Sequence, residues 1–189
     1  MRKSRQEAAE TRQRIVEAAS NRFRLQGIGS TGLADFMGEA GLTHGGFYKH
    51  FASKEQVVQE SVALAVDALR DKLHEASDAP PAGRGLKGIV DLYLSTEHRD
   101  NVMEGCPFVA LSGELTRCSD EVRAVVTSGL TEVVELLVAQ LPDMPVAAAR
   151  KKAWVMLSTM VGALSIARMV NDDALSASIL RDARKSLYP

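Results

Sequence analysis

The sequence is poor in aromatic residues, with one Trp, three Tyr and five Phe among 189 residues, and it carries only two cysteines and four histidines. Each scarcity excludes something. Cys106 and Cys118 cannot build a disulfide framework and offer no paired metal-ligand spacing. His44, His50, His74 and His98 are scattered, and the chain has no His-x-x-x-His, no glycine-rich phosphate loop and no Gly-x-Ser-x-Gly. No catalytic residue, metal or cofactor is therefore expected. The longest uncharged run, residues 153–167, contains two serines, a threonine and a glycine. It falls short of the roughly 20 apolar residues needed to span a bilayer. No basic, apolar, small-residue stretch resembling a secretion signal opens the chain. These absences point to a cytoplasmic protein without a membrane segment.

What is present is a globular composition, 46% hydrophobic and 25% charged, long enough for one or two domains. The net charge of −1 hides an asymmetry. Residues 1–54 hold nine Lys/Arg against five Asp/Glu, and residues 55–189 hold fourteen against nineteen. A basic head on an acidic body suits a polyanion met at one end only; the alternative is a chance fluctuation of surface charge.

Helical periodicity runs through nearly the whole chain, with no strand and no internal repeat, so the expected fold class is all-α. Residues 1–10, with Arg2, Lys3 and Arg5, lack an apolar stripe and read as a flexible arm. From Thr11, residues Ile15, Ala18, Ala19, Arg22 and Phe23 mark a first helix that Gln26-Gly27 stops. Thr31 is the expected cap of a second, which carries Leu33, Phe36, Met37 and Ala40 and ends at Gly41. A long helix follows from Lys54, closed by Asp78-Ala79-Pro80-Pro81-Ala82-Gly83. Further helices are expected around Leu86 to Leu94, fading through His98-Arg99-Asp100-Asn101, then from Pro107 through Leu115, from Ser119 to Leu141, and over 146–170 and 173–187.

The stretch Leu42-Thr43-His44-Gly45-Gly46-Phe47-Tyr48-Lys49-His50-Phe51 with Ala52-Ser53-Lys54-Glu55 organises the rest. It reads as a very short helix, capped by Thr43, running straight into a helix capped by Ser53 with Gln56 completing a capping box. Phe47 and Phe51, four apart, anchor one side. The other side offers hydrogen-bond donors and little bulk at its leading end, which suits a helix pushed end-first into a DNA groove. Helix, glycine-containing turn, helix is the helix-turn-helix pattern.

Residues 11–58 resemble the DNA-binding domain of the TetR/AcrR family of bacterial transcriptional regulators. The stretches that carry the resemblance are Thr11-Arg12-Gln13-Arg14-Ile15, residues 23–27, Ala34-Asp35-Phe36-Met37, Ala40-Gly41-Leu42-Thr43, and Phe47-Tyr48-Lys49-His50-Phe51 with Ser53-Lys54-Glu55. The chain departs from the family at Gly32, where a larger residue is usual, and at Gly46, where a small apolar one is. The remaining two-thirds matches the family only in length and helical plan.

The resulting expectation is a three-helix DNA-binding domain over residues 1–53 and a ligand-binding and dimerisation domain over 54–189. Thr31 and Thr43 sit at helix starts, where free amides attract phosphate. Tyr48, His50 and Lys54 are placed to donate to phosphates, and His44, Gly45 and Lys49 to face base edges. The apolar circumference of residues 154–167 requires burial on more than one side, and the resemblance implies a two-fold dimer through the last two helices. Gly162, Ala163 and Ala167 would permit close approach there; a central helix buried in a monomer is the alternative.

The expected function is a repressor that binds a palindromic operator in double-stranded DNA as a homodimer and lets go when a small, mostly apolar effector enters. Tyr93, Thr96, His98, Met103, Cys106, Phe108, Trp154 and Ser158 are the candidate effector contacts, though each could be plain core. Three other readings remain: a thiol sensor at Cys106, beside a helix start that can lower a thiol pKa; a small cysteine-dependent enzyme pairing Cys106 with His98; and an architectural DNA-binding protein without a ligand, which the acidic body weakens.

Overall fold

The structure, a computed structural model, describes residues 5–79 and 84–188. Among the described residues every regular element is helical. The first four residues of the expected arm, and Pro80 to Gly83 of the expected linker, lie outside the described residues.

Helix α1 (Arg5–Gln26) begins six residues earlier than the apolar stripe predicts. The segment expected to be loose, residues 5–10, is Arg-Gln-Glu-Ala-Ala-Glu, all strong helix formers. Gln6 bonds Glu10 one turn on at 3.2 Å, and the Thr11 hydroxyl donates to the Glu7 carbonyl at 2.7 Å. The helix ends where Gly27 takes a positive φ of 90° and donates its N–H to the Phe23 carbonyl at 2.8 Å.

Helix α2 (Leu33–Glu39) is capped at Gly32, not at Thr31. Thr31 is fully buried and its hydroxyl donates to the Gly27 carbonyl at 2.7 Å. The Gly32 N–H is taken instead by the Asp35 carboxylate at 2.6 Å. Gly41, at φ 72°, turns the chain into a 3₁₀ helix, His44–Lys49, that follows Thr43. Thr43 holds the cap position but its side chain makes no cap bond.

Four of the five phenylalanines converge behind that short helix. Phe23 meets Phe36 edge-on at 5.8 Å, Phe36 meets Phe47 at 6.1 Å, and Phe47 stacks on Phe51 at 5.7 Å. All four are buried. Aromatic pairs of this kind add about 0.5–1.5 kcal/mol beyond area burial, which compensates for a short helix with two glycines and little stability of its own.

Helix α3 (Lys54–Asp78) is the spine. Ser53 caps it, accepting from the Gln56 N–H at 3.2 Å. The Gln56 side chain reaches one residue further back than a capping box requires, to the Ala52 N–H at 3.0 Å. Its first half packs on α1 through a reciprocal pair: Ser20 donates to the Ser61 carbonyl and Ser61 to the Val16 carbonyl. The second half carries Val66, Leu69 and Leu73 into the rest of the core.

Helix α4 (Gly85–Tyr93) does not fade through His98; Ser95 caps a separate α5 (Thr96–Asp100), accepting from the His98 N–H at 3.0 Å. The expected helix from Pro107 is likewise two single turns, α6 (Pro107–Ala110) and α7 (Ser112–Leu115), broken at Leu111. Helix α8 (Asp120–Ala139) crosses α3 at Gly129, where a Cβ would collide with Val66. Helices α9 (Val146–Met169) and α10 (Asp173–Leu187) close the fold. Ser176 Oγ donates to the Ala167 carbonyl at 2.6 Å between them. No helix among the described residues is long and apolar enough to cross a membrane.

Candidate nucleic-acid interface and effector cavity

The residues expected to meet DNA separate into two groups. Thr43, His44, Gly45, Tyr48 and Lys49 stand exposed on one side of the short helix, with His50 half-buried at its end. Tyr48 is 68% exposed, its ring edge resting on Phe47 at 5.1 Å. A Cβ built at Gly45 would meet nothing within 4 Å, so the leading end is open to an approaching surface. The other two point inward. Thr31 is committed to the α1–α2 turn, and Lys54 Nζ donates to the Ile28 carbonyl at 2.6 Å. An N-terminal threonine or lysine looks the same in sequence whether it faces a phosphate or its own backbone.

The eight expected effector contacts do not form one site. Phe108, Trp154 and Ser158 line a cavity of about 370 Å³ between α6, α7, α8 and α9. Ser112, Leu115 and Thr116 form its α7 side, and Arg123, Val126, Thr127 and Leu130 its α8 side. The contribution of α8 is absent from the sequence-based expectation. Arg123, Thr127 and Leu130 are four and three residues apart, one stripe of a helix, and that mixed stripe was the available signal.

Tyr93, His98 and Cys106 cluster away from this cavity, and His98, half-buried, lines a separate hollow of about 290 Å³ beside Leu69, Lys72 and Glu104. Tyr93 and Cys106 are fully buried. The Cys106 N–H donates to His98 Nε2 at 3.1 Å, so the imidazole proton lies on Nδ1, which donates to the Tyr93 carbonyl at 2.8 Å. Arg168 donates to the carbonyls of Arg99 and His98 at 2.9 and 2.7 Å. Burial pushes the Cys106 thiol pKa up, overriding the lowering expected at a helix start. Thr96 and Met103 lie on the surface instead, and the Met103 carbonyl accepts from Arg24 of α1. Both cysteines are free thiols.

The sequence profile for "Bacterial regulatory proteins, tetR family" matches residues 15–60, which span α1 from Ile15 through the first turns of α3. The HTH-type transcriptional regulator TtgR of Pseudomonas putida is 42% identical over 78 residues, covering 41% of this chain and 33% of that protein. A second protein of that species, the uncharacterized HTH-type transcriptional regulator TtgW, is 37% identical over 99 residues, covering 51% of this chain and 70% of that protein. A TetR transcriptional regulator from Chloroflexus aurantiacus shares the fold with a TM-score of 0.81 at 24% identity, over 96% of this chain and 94% of that one. Among the described residues the fold is helical, with a helix-turn-helix head over residues 15–60. The chain belongs to the tetR family of bacterial regulatory proteins. The match to TtgR spans about a third of that relative's length.

Proposed function

We propose that the chain is a ligand-responsive repressor that binds a palindromic operator as a homodimer. The observation that carries this reading is the short helix His44–Lys49, held against four buried phenylalanines with His44, Gly45, Tyr48 and Lys49 facing out. A rigid, donor-rich helix end with no bulk at its tip matches entry into a major groove, Tyr48 donating to phosphate and His44 with Lys49 to base edges. Residues 1–53 form the DNA-binding domain and 54–189 the effector and dimer domain, with α3 common to both cores.

A second copy covers α9. Val155, Thr159, Gly162, Ile166 and Met169 run along its outer side at alternating spacings of four and three, the repeat of a helix–helix seam. Val155 is 64%, Ile166 51% and Met169 79% exposed, an apolar stripe at odds with a monomer in water. Ala163 and Ala167, expected at this contact, are buried in the chain's own core; only Gly162 of the three small residues lies on the outer stripe.

The effector occupies the cavity beside Trp154. Its lining is mainly apolar, with Ser112, Thr127, Ser158 and Arg123 to orient one polar end. Burial of Cys106 supports this pocket over the thiol as receiver of the signal. Such a regulator works in the cytoplasm. Mobility shifts with DNA from immediately upstream of its own reading frame test the proposal. Retarded complexes that weaken steeply with salt and persist against excess unrelated DNA are expected; binding with no preference for any such fragment would overturn it.

A further inference from the structure

Glu114 joins the cavity wall to the DNA-binding end. It sits on α7, the single turn whose Ser112 and Leu115 line the cavity. Its side chain leaves on the other side and accepts the Ile28 N–H at 2.9 Å and the Gly29 N–H at 2.6 Å. Those two amides belong to the turn between α1 and α2, some 85 residues away in sequence. Bonds from backbone N–H groups to a carboxylate are charge-assisted and stronger than neutral ones.

The turn is shaped to receive this carboxylate. A Cβ at Gly27 would lie 2.7 Å from Glu114 Oε2, and one at Gly29 would lie 3.3 Å from Oε1. Gly27 also holds a φ of 90° that side chains rarely adopt. From the opposite side Lys54 takes the Ile28 carbonyl. One peptide segment is therefore held by α7 on its N–H side and by the start of α3 on its C=O side.

We propose that Glu114 is the link through which cavity occupation reaches the DNA-binding end, a step that rests on the effector reading above. α7 can move as a unit because the chain breaks from helical geometry before it, at Leu111 (φ −116°, ψ 8°), and turns again after Leu115. A molecule pressing on Leu115 and Ser112 shifts the whole turn, Glu114 with it. The carboxylate then pulls or releases Ile28 and Gly29, and α2 with the short helix changes its setting relative to α3. Such a molecule discriminates between two shapes of the protein, as any effector must.

The test uses the full chain, Glu114→Ala, and Gly29→Ala, which crowds the carboxylate while leaving Glu114 in place. Occupation is imposed in two ways: by anilinonaphthalene sulfonate, an aromatic anion suited to an apolar cavity with Arg123 at its wall, and by Val126→Trp, which fills the cavity from within. Hydrogen exchange at the Ile28 and Gly29 amides reads the link directly. Glu114→Ala should speed both by at least about tenfold while leaving the Phe23 amide unchanged. Occupation should change their exchange in the unmodified chain and not in Glu114→Ala. DNA affinity with and without occupation should differ by at least about fivefold in the unmodified chain, and by less than about twofold in Glu114→Ala and Gly29→Ala. A full response in Glu114→Ala, or Ile28 and Gly29 exchange indifferent to occupation, would overturn the link. If the unmodified chain binds no DNA, the repressor reading fails, and the exchange measurements still decide whether cavity and turn are coupled.

Discussion

Lys54 Nζ and the Ile28 carbonyl oxygen are 2.6 Å apart, so the lysine expected to meet phosphate is first a brace between α3 and the α1–α2 turn. Its ammonium also lies 5.9 Å from the Phe23 ring centroid. Lys54→Met should lower stability by about 1.5–3 kcal/mol in urea unfolding, the usual worth of a hydrogen bond to a charged group. DNA affinity should fall for all sequences together. An unchanged unfolding midpoint would show that the bond contributes nothing.

Tyr48 and Lys49 are exposed, so their replacement should act on binding and spare stability. Tyr48→Phe should cost about 1 kcal/mol of affinity on any sequence, because it removes one hydroxyl donor. Lys49→Ala should lose affinity mainly through one base position, as a side chain at a base edge does. An equal loss on every sequence, with the slope of log affinity against log salt reduced by about 1, would place Lys49 on a phosphate instead. Gly45→Ser should fold normally, since nothing lies within 4 Å of its Cβ, and alter sequence preference.

On α9, Ile166→Arg and Val155→Arg should give folded monomers by sedimentation, because both positions are exposed in the single chain. Ala163→Arg and Ala167→Arg should instead unfold it, by placing a charge in the core at 8% and 2% exposure. Folded dimers of both Ile166→Arg and Val155→Arg would move the interface elsewhere.

His98 makes stability depend on pH. Burial lowers its pKa below the ordinary 6.5, helped by Arg168 and Lys72 and opposed by the Tyr93 carbonyl. Above 6.5 the imidazole is neutral whether folded or unfolded, and the stability is fully present. As pH falls through 6.5 the unfolded chain takes up the proton first, so stability declines toward the depressed folded pKa. Protonation would also set an N–H on Nε2 against the Cys106 N–H. The urea midpoint should fall between about pH 7.5 and about pH 5.5, and His98→Gln should flatten that fall. An equal slope in the variant would assign it to other groups.

Cys118 is half-buried and Cys106 fully so. Iodoacetamide on the folded protein, followed by peptide mass analysis, should label Cys118 well before Cys106. Cys106→Ser should keep its release from DNA by apolar molecules. Faster labelling of Cys106, with loss of DNA binding, would favour the thiol reading.

Local sequence marked most helical segments and the short helix after Gly41, but not the start of α1 or the breaks at Ser95 and Leu111. Phe47 and Phe51, four apart, mark the buried side of the short helix, and Gly27 and Gly41 stand where the chain takes positive φ; packing brought Phe23 and Phe36 to them. Tertiary structure decided matters on which local pattern is silent. Thr31 looks like a helix cap until the Gly27 carbonyl claims it. Residues 154–167 are apolar around nearly the whole helix, so periodicity cannot say which stripe is core. Packing against α8 and α10 turned Ala163 and Ala167 inward and left Ile166 outside. Glu114 carries no sequence signal at all. Its partners are two backbone N–H groups, which every non-proline residue possesses, and only the folded chain brings α7 to the one turn whose glycines make room for a carboxylate.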